Sequence, residues 1–467
     1  MNISVVILAA GLGKRMKSVA PKVLHEVLGV PMLQHVLDAV SPLKAQKTIV
    51  VVGNKAEQVK KKFQDRNLTF VLQKKLLGTG DALTAACREI KGGTVLVLNG
   101  DGPLITTKTL RTLLSRHKRS RNILSFLAFV DDSMTGYGRV IRDNHGCVTG
   151  IVEDKHASPV EKEKNKELNG GVYAIESRGL DYLKKVKRNR SSGEYYLTDL
   201  AAIMAKAGRK VNAYACPPEE IRGVNDRAQL YEVTDILRKR IIAQWMAKGV
   251  TFLDPQSTVV HSSVTIGGDS VIYPNTYFEG QTSIGANCII YPGVRIIDSR
   301  IKKNVMVKDS SLIEDSIVGE GASVGPFAHL RPQSKIGKKA KIGNFVEIKK
   351  SDIGDGTKAS HLSYLGDAVI GNDVNIGAGT ITCNYDGKNK FKTIIRSGVF
   401  IGSDSQLVAP VEIGRGAYVA AGATVTDNVP AGSLAISRQK QVSIKDWARK
   451  KAKIQHARSG VRKKKKS

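Results

Sequence analysis

A glycine-rich turn near the amino terminus has the composition of a phosphate-binding loop. The apolar run at 5–8 (VVIL) leads into residues 10–15 with the sequence AGLGKR. Glycines let backbone N–H groups approach an anion closely, and the basic residues that follow offset its charge. Lys22 places another lysine within reach of the same loop. The sequence therefore predicts a phosphate site at the carboxyl end of a first strand.

Asp101 follows a second apolar run. Residues 95–98 (VLVL) are apolar without alternation, as in a parallel strand that is buried on both faces. An acidic residue just beyond the carboxyl end of such a strand lies where open α/β sheets bind their ligands. Taken alone, however, Asp101 is better explained as a turn or helix-cap aspartate.

The second half of the chain offers a candidate base for acyl transfer. Transfer of an acyl group to an amine needs a base to remove a proton and a group that stabilises the tetrahedral oxyanion. His361 is the only histidine between His329 and His456, and it lies in the polar stretch SHLSYLGD at 360–367. A single histidine is more often structural than catalytic, so this residue alone leaves its role open.

A period of six residues dominates the segment that must position His361. Neither an α-helix nor a simple strand has this period, but a hexapeptide parallel β-helix does, with one aliphatic side chain per flat side pointing inward. The period breaks between Asn384 and Ile395, which predicts an extended loop on the binding face. The inward residues are Ile266, Ile272, Phe278, Ile284, Ile290 and Ile296; Val318, Val324, Leu330, Ile336, Ile342 and Ile348; and Ile401, Leu407, Ile413, Val419 and Val425.

The first half alternates strands and helices. Short apolar runs at 48–52 and 70–73 flank a helical stretch at 55–63, which is typical of an α/β sheet. Residues 229–248 have the three-and-four spacing of an amphipathic helix that ends at Gly249. We therefore predict an α/β domain at 1–227, a helical linker at 228–249, a β-helix at 250–437 and a basic tail at 438–467.

Length and composition narrow the class of protein. A chain of 467 residues with 41% apolar residues is expected to form two or three globular domains. It has no apolar run long enough for a membrane span, and its start lacks the basic region of a signal peptide. The five cysteines form no CxxC pair, which favours reduced thiols in the cytoplasm and no cysteine metal site.

The formal net charge of +31 is compatible with nucleic acid, an acidic membrane surface or anionic substrates as partners. The basic run at 458–466 could tether the protein electrostatically, although a solvated tail is the favoured interpretation. Aromatic residues make up 5% of the chain, and none lies among the lysines of the tail, which disfavours a stacking platform for single-stranded nucleic acid. We expect no nucleic-acid partner.

Together, the motifs of the first half resemble the sugar-nucleotide pyrophosphorylases, a nucleotidyltransferase family. With the hexapeptide region behind them, they resemble the bacterial bifunctional N-acetylglucosamine-1-phosphate uridyltransferases and glucosamine-1-phosphate N-acetyltransferases. The resemblance implies a Rossmann-like nucleotidyltransferase domain followed by a left-handed parallel β-helix. It also implies a homotrimer whose acetyltransferase sites are shared between subunits, and a product that feeds peptidoglycan and lipopolysaccharide synthesis. The motifs are LAAG at 8–11 with Arg15 and Lys22, Gln73, Gly78-Thr79, Gly100-Asp101, GYGR at 136–139, Glu153 with Lys155, Asn169, and GVN at 223–225.

For the uridyltransferase site, the resemblance implies UTP as co-substrate and Mg²⁺ held by Asp101 and Asn225. Arg15 and Lys22 would stabilise the phosphates and act in catalysis. The expected nucleotide- and sugar-binding residues are Leu8, Ala9, Ala10, Gly11, Lys22, Gln73, Gly78, Thr79, Asn99, Gly100, Asp101, Gly138, Glu153, Asn169 and Asn225. Of these, Gln73, Gly78 and Thr79 would select uracil.

For the acetyltransferase site, the resemblance implies acetyl-CoA as the donor and His361 as the general base. Arg331 and Lys349 would bind the sugar phosphate, and Tyr364 and Asn375 the sugar. The expected acetyl-CoA residues are Ala378, Asn384, Tyr385, Ser403, Ala421 and Arg438. Cys383 is close to them but is interpreted as a packing residue, because the family transfers the acetyl group directly.

Two departures and two alternatives accompany this prediction. Leu12 stands where the family commonly has a basic residue, and Asn99 where it usually has tyrosine; both bear on nucleotide affinity. One alternative is a pyrophosphorylase whose β-helix only assembles the oligomer, which the intact 360–367 and Asn384-Tyr385 stretches argue against. The other is a basic scaffold for nucleic acid or an anionic surface, which leaves Asp101 without a role.

Overall fold

The structure is a computed structural model that describes residues 2–53 and 55–464, with the backbone alone from residue 456 onward. The side chains of the basic run at 458–466 thus lie outside the described residues. The chain forms two compact units, one of Met1–Thr265 with Tyr277–Gln281 and the other of Ile266–Thr276 with Thr282–Ser467. Within the described ranges, no helix combines the length and hydrophobicity that a bilayer crossing needs.

The first unit is built on a mixed sheet with the strand order β11-β7-β10-β6-β1-β4-β5. The strands are β1 (Ile3–Ala9), β2 (Glu26–Val27), β3 (Val30–Pro31), β4 (Lys47–Val52), β5 (Thr69–Leu72), β6 (Thr94–Asn99), β7 (Leu124–Val130), β8 (Arg139–Arg142), β9 (Val148–Val152), β10 (Glu167–Glu176) and β11 (Val211–Ala215). The helices are α1 (Met32–Val40), α2 (Ala56–Lys62), α3 (Thr79–Ala86), α4 (Thr107–Arg119), α5 (Pro159–Lys164), α6 (Asp199–Lys206), α7 (Pro218–Ile221) and α8 (Arg227–Met246).

The central strands are parallel and buried on both faces. β1 pairs in parallel with β4 and β6, and their continuous β-branched and aliphatic runs supply side chains to a core on each side. Leu33 and Leu110 from α1 and α4 fill one core, while Leu83 and Leu200 from α3 and α6 fill the other. This arrangement leaves the carboxyl ends of β1 and β6 side by side, as the predicted Rossmann-like fold requires.

The predicted amphipathic helix is α8. It begins after Asp226, whose carboxylate accepts a hydrogen bond from the Gln229 N–H at 2.9 Å. Val233 and Ile241, from the predicted stripe, are buried. Ile242 is buried as well, although it lies off that stripe. The helix is followed by Gly249 in the left-handed region at φ 86°.

Short strands continue from residue 251. Those of the first unit are β12 (Thr251–Phe252), β13 (Val259–Val260) and β16 (Tyr277–Glu279), and β14 (Thr265–Ile266) lies at the boundary between the units. The strands of the second unit form three parallel sheets, in which each strand pairs with the strand three places further along the chain, except that β39 pairs with β41. A helix, α9 (Trp447–Lys464), follows the last strand.

Sheet I contains β15 (Val271–Ile272), β18 (Ile289–Ile290), β21 (Met306–Val307), β24 (Ser323–Val324), β27 (Lys341–Asn344), β30 (Lys358–His361), β33 (Asn375–Ile376), β36 (Phe400–Ile401), β39 (Tyr418–Val419) and β41 (Leu434–Ala435). Sheet II contains β19 (Arg295–Ile297), β22 (Leu312–Glu314), β25 (His329–Leu330), β28 (Glu347–Lys349), β31 (Tyr364–Gly366), β34 (Ile381–Cys383), β37 (Gln406–Val408) and β40 (Thr424–Val425). Sheet III contains β17 (Ser283–Ile284), β20 (Arg300–Ile301), β23 (Ser316–Val318), β26 (Ser334–Ile336), β29 (Asp352–Ile353), β32 (Ala368–Ile370), β35 (Thr393–Ile395) and β38 (Val411–Ile413).

These coils form the β-helix that the six-residue period predicts, and all the apolar residues of the three runs are buried. The phase of the period slips after Ile296 because the coils shorten. Ile284 pairs with Ile301, and Ile301 with Val318, so each of these coils takes 17 residues instead of 18. The shortened corners contain Asp298 and Asp315, at φ 48° and 38°.

The loop predicted between Asn384 and Ile395 is present. Ile370 pairs with Ile395, so this coil takes 25 residues. Within the loop, Tyr385 and Lys390 form an isolated antiparallel bridge, and the Tyr385 hydroxyl donates to the Gly387 carbonyl at 2.6 Å. The loop therefore has a local fold of its own at the edge of sheet II.

Candidate active sites

The first candidate site is a cavity of about 410 Å³ at the carboxyl ends of β1 and β6. Its position is the one where open α/β sheets bind their ligands. The predicted residues that line it are Leu8, Arg15, Thr79, Asn99, Asp101, Gly138, Glu153, Asn169 and Asn225. Ala9, Ala10, Gly11, Lys22, Gln73, Gly78 and Gly100 are not among its lining residues. The structure thus brings together residues that are spread over more than two hundred positions of the sequence.

The glycine-rich turn is shaped to hold Lys22 against it. Gly13 adopts φ 61°, and a Cβ atom there would lie 2.8 Å from the Cβ of Lys22. A residue with a side chain would therefore be strained and would also push Lys22 away. A 3-10 turn at Lys14–Met16 follows and places Arg15 in the cavity lining.

Lys22 joins the two predicted metal ligands. Its Nζ donates to Asn225 Oδ1 at 2.9 Å and forms an ion pair with the Asp101 carboxylate. The Val224 N–H donates to the Asp101 carbonyl at 3.0 Å, which fixes the two segments relative to each other. An amide oxygen and a carboxylate thus converge on one centre of positive charge. No cluster of three or more His, Cys, Asp or Glu that could hold a metal occurs among the described residues.

The far side of the cavity is a hydrogen-bonded wall. Glu153 accepts from the Thr198 hydroxyl at 2.7 Å, and the Asn169 amide donates to the Tyr173 hydroxyl at 2.7 Å. Burial raises the pKa of Tyr173, so its phenol stays neutral. A Cβ on Gly138 would lie 2.9 Å from Ile151 Cγ2, which leaves no room for a side chain there. Thr198 lines the cavity but was not predicted from the sequence.

Gln73 closes a separate small network beside α3. Its Nε2 donates to the Gly78 carbonyl at 3.1 Å and to the Asp81 carboxylate at 2.7 Å. Gly78 adopts φ 99°, and a Cβ there would lie 2.6 Å from the Tyr195 carbonyl oxygen. Only glycine fits such a position, so the turn that presents Thr79 to the cavity is fixed by packing.

The second candidate site begins on the outer face of sheet II. Leu330 pairs with Ile348, and Ile348 with Leu365, which places Arg331 and Lys349 in successive coils. Arg331 donates to the Glu347 carboxylate at 2.8 Å. Four predicted residues therefore share this face, and they are Arg331, Lys349, Tyr364 and Asn384.

Because Gly366 has no side chain, two polar side chains can pack directly over the backbone in the middle of this face. A Cβ there would lie 2.4 Å from the Tyr364 hydroxyl and 2.8 Å from Asn384 Nδ2. Asn384 is oriented by a hydrogen bond from Nδ2 to the buried Asp367 carboxylate at 2.6 Å. Two polar side chains thus meet above a bare stretch of backbone.

Lys390, from the inserted loop, adds a cation to this face. The ammonium of Lys390 beside Lys349 lowers the pKa of Lys349, because two like charges disfavour each other. Two adjacent lysines with Arg331 nearby suit a dianionic phosphate group. No pattern in the sequence singles out Lys390, although the break in the period predicts the loop that carries it.

The remaining predicted residues lie on sheet I and at the corner that follows it. His361 ends β30, and Asn375 begins β33 in the next coil. The corner residues Ala378, Ser403 and Ala421 stack on one another. The Asp404 N–H donates to the Ala378 carbonyl at 2.7 Å, and the Gly422 N–H donates to the Ser403 carbonyl at 2.8 Å. Arg438 completes the column by donating to the Ala421 carbonyl at 2.9 Å.

Comparison with known proteins matches both halves of the chain. Residues 5–134 match the model of the MobA-like NTP transferase domain. Residues 255–333 match the model of the GMPPB C-terminal domain. Residues 392–427 match the model of the bacterial transferase hexapeptide (six repeats).

Curated relatives extend over nearly the whole chain. The bifunctional protein GlmU of Clostridium tetani is 47% identical over 96% of this chain and 98% of its own length. That of Thermodesulfovibrio yellowstonii is 46% identical over 96% of this chain and 99% of its own. This chain belongs to the GlmU family. The bifunctional protein GlmU of Streptococcus thermophilus is likewise 47% identical over 96% of this chain. The predictions of a nucleotidyltransferase fold, a hexapeptide β-helix and a bifunctional enzyme are thereby confirmed.

Proposed function

We propose that this GlmU-family chain makes UDP-N-acetylglucosamine in two steps at two separate sites. The β-helix site transfers the acetyl group of acetyl-CoA to glucosamine-1-phosphate. The α/β site then joins N-acetylglucosamine-1-phosphate to UTP and releases pyrophosphate. The observation that supports this most is that the residues expected for each step cluster separately, around Asp101 in one unit and around Lys349 and His361 in the other.

The uridyltransferase step depends on position and charge. The sugar phosphate attacks the α-phosphorus of UTP in line with the departing pyrophosphate, and negative charge accumulates on the phosphate oxygens. Arg15 and Lys22 supply cations at the glycine-rich turn, and the backbone of that turn cradles the phosphates. Glu153 and Asn169 hold the sugar on the opposite wall, so that its phosphate points at the nucleotide.

The converging oxygens of Asp101 and Asn225 fit Mg²⁺, which prefers hard oxygen ligands and usually keeps several waters. When bound there, the ion would neutralise charge on the nucleotide phosphates. Lys22 lies at the same place, so a bound cation and the lysine ammonium compete for these two oxygens. We propose that Lys22 is released toward the phosphates when the site is loaded.

Replacing Lys22 by methionine should therefore tighten Mg²⁺ binding in the absence of nucleotide. The substitution removes a positive charge that contacts both ligand oxygens, and at an effective dielectric of about 20 a unit charge at 4 Å contributes about 4 kcal/mol. We expect the Mg²⁺ dissociation constant from calorimetry to fall about tenfold or more. Lys14→Met, which removes the same charge from an exposed position of the same loop, should change it little. An unchanged or weaker affinity in Lys22→Met would contradict the competition.

The acetyltransferase step needs a proton acceptor and a held substrate. Arg331, Lys349 and Lys390 bind the phosphate, and Tyr364 and Asn375 position the sugar. His361 accepts the proton that the sugar amine loses as its nitrogen attacks the thioester carbonyl. The carbon–nitrogen bond forms, the carbon–sulfur bond breaks, and coenzyme A leaves as the thiol. Burial raises the pKa of Cys383, which keeps that thiol protonated and disfavours a covalent acetyl-cysteine.

The stacked corner suits the coenzyme. Ala378, Ser403 and Ala421 offer small side chains and backbone groups along a narrow column, and Arg438 offers a charge for the coenzyme phosphates. Asn384 and Tyr385 lie near the acyl group. Arg331, Lys349 and Tyr364 lie on or beside sheet II, whereas Asn375 lies on sheet I and the coenzyme residues at the corner after it. A neighbouring copy can therefore complete the site, which supports a homotrimer with shared sites. We also propose that the enzyme works in the cytoplasm, where its co-substrates UTP and acetyl-CoA are made.

A coupled assay of the whole protein tests this function. The reaction contains glucosamine-1-phosphate, acetyl-CoA, UTP and Mg²⁺, and free thiol and pyrophosphate are followed separately. We expect both products, with pyrophosphate dependent on acetyl-CoA. Pyrophosphate formed only from added N-acetylglucosamine-1-phosphate, without any thiol, would reduce the β-helix to an assembly scaffold.

A further inference from the structure

His361 has one polar partner that fixes its ring. The Nδ1 atom lies 2.6 Å from the Oδ1 atom of Asn344, one coil earlier in sheet I. An amide oxygen can only accept a hydrogen bond, so Nδ1 must carry the proton and donate. The other ring nitrogen, Nε2, therefore keeps its lone pair. This is the nitrogen that must be free if His361 is to take a proton from a substrate.

Asn344 is itself firmly placed. It ends β27 and pairs in register with His361, and its carbonyl accepts the Leu362 N–H at 3.0 Å. Gly343, just before it, has no room for a side chain, because a Cβ there would lie 1.9 Å from the Ser360 carbonyl oxygen. The two coils thus approach most closely beside the Asn344–His361 pair. The backbone, and not a flexible side chain, sets the distance between amide and imidazole.

We infer that Asn344 is a positioning residue for acetyl transfer, which sets the tautomer and the orientation of His361. This inference rests on the proposed role of His361 as general base. The partner is neutral, so it orients the ring without the charge–charge attraction that a carboxylate would exert on the imidazolium form. A carboxylate at the same place would also orient the ring but would hold the proton more tightly after transfer.

Three substitutions of Asn344 distinguish the effect of orienting the His361 ring from the effects of packing and of charge. Asn344→Leu keeps the approximate volume but loses the acceptor, and Asn344→Ala loses both. In each we expect the acetyltransferase kcat to fall about 10- to 100-fold, the range known for partners that orient ligating imidazoles, with KM for glucosamine-1-phosphate little changed. Asn344→Asp keeps an acceptor, so we expect kcat to recover at high pH.

The dependence of kcat on pH is the measurement that would not change if Asn344 had a purely structural role. In Asn344→Asp, the acid limb of kcat against pH should move up by about one unit or more, because a carboxylate favours the protonated ring. Asn428→Ala is the matched control, since Asn428 Oδ1 accepts a backbone N–H, that of Glu412, at 2.7 Å elsewhere in the β-helix. It should leave the acetyltransferase profile unchanged. The thermal unfolding midpoint, measured on the same preparations, reports whether the β-helix of each variant is folded.

A double substitution distinguishes failure of this inference from failure of the proposed function. If Asn344 acts through His361, then Asn344→Leu should cause no further loss in a His361→Ala background. Wild-type kcat and an unmoved pH profile in Asn344→Leu and Asn344→Asp, with His361→Ala inactive, would overturn the positioning role alone. Full acetyl transfer in His361→Ala would instead overturn the proposed base, and the inference with it.

Discussion

Replacing Asp101 by alanine will abolish UDP-sugar formation while acetyl transfer continues. The Asp101 carboxylate and the Asn225 side-chain oxygen converge at the cavity end nearest the glycine-rich turn. Of these two groups, only the carboxylate carries a full negative charge. Its loss removes the main attraction for Mg²⁺ and also the ion-pair partner of Lys22. We expect pyrophosphate release from N-acetylglucosamine-1-phosphate and UTP to fall about a thousandfold, comparable to the largest effect of removing one electrostatic group from an active site.

Two companion variants make this result specific. Asp101→Asn keeps the shape and one oxygen ligand, so it should retain more Mg²⁺ affinity than the alanine variant. Asp65→Ala removes a carboxylate from an exposed turn of the same unit and should leave both activities intact. Loss of both activities in Asp101→Ala would contradict two independent sites, and normal pyrophosphate release would contradict the proposed role of Asp101.

Replacing His361 by alanine should have the reverse effect. Without a base, the amine proton must leave to water, and general base catalysis typically contributes about 100- to 10,000-fold. We expect coenzyme A release from glucosamine-1-phosphate and acetyl-CoA to fall within that range. Uridyl transfer should stay normal when N-acetylglucosamine-1-phosphate is supplied, because the cavity around Asp101 contains no residue of the β-helix sheets.

The control for His361→Ala is an exposed histidine elsewhere. His145→Ala removes an imidazole from a surface turn between β8 and β9 and should change neither activity. A thiol-release rate in His361→Ala within a factor of three of the parent would show that another group or water takes the proton. The residues around Tyr364 and Asn384 would then need a new assignment.

The sequence predicts the β-helix well because each coil repeats one simple rule. An aliphatic residue at every sixth position, such as Ile336, Ile342 and Ile348, is enough to define which side chains face inward. The shortened coils were not predicted, because a corner that is one residue shorter leaves the inward residues on either side of it inward. Asp298 and Asp315 carry no pattern that distinguishes a turn in the left-handed region from an ordinary polar corner.

The two sites were predictable only in part. Residues inside recognisable motifs, such as Asp101 and Tyr364, could be placed from the sequence. Thr198, Lys390 and Asn344 could not, because each lies beside a predicted residue that is separated from it in sequence, for example Thr198 beside Glu153, 45 positions away. Such contacts are created by strand register and loop closure, and a polar residue on an outer face has no periodic signal of its own.

The stacked corner of the β-helix gives the site that we propose for the coenzyme a discrete length. Ala378, Ser403 and Ala421 come from three successive coils, and adjacent strands of a sheet lie about 4.8 Å apart. Ile401 pairs with Val419, so one coil there takes 18 residues. Duplicating one coil would lengthen the column by one strand spacing. Every inward side chain would remain inward. In this architecture, the length of the column that we propose for the coenzyme is thus set by the number of coils and not by the shape of a pocket.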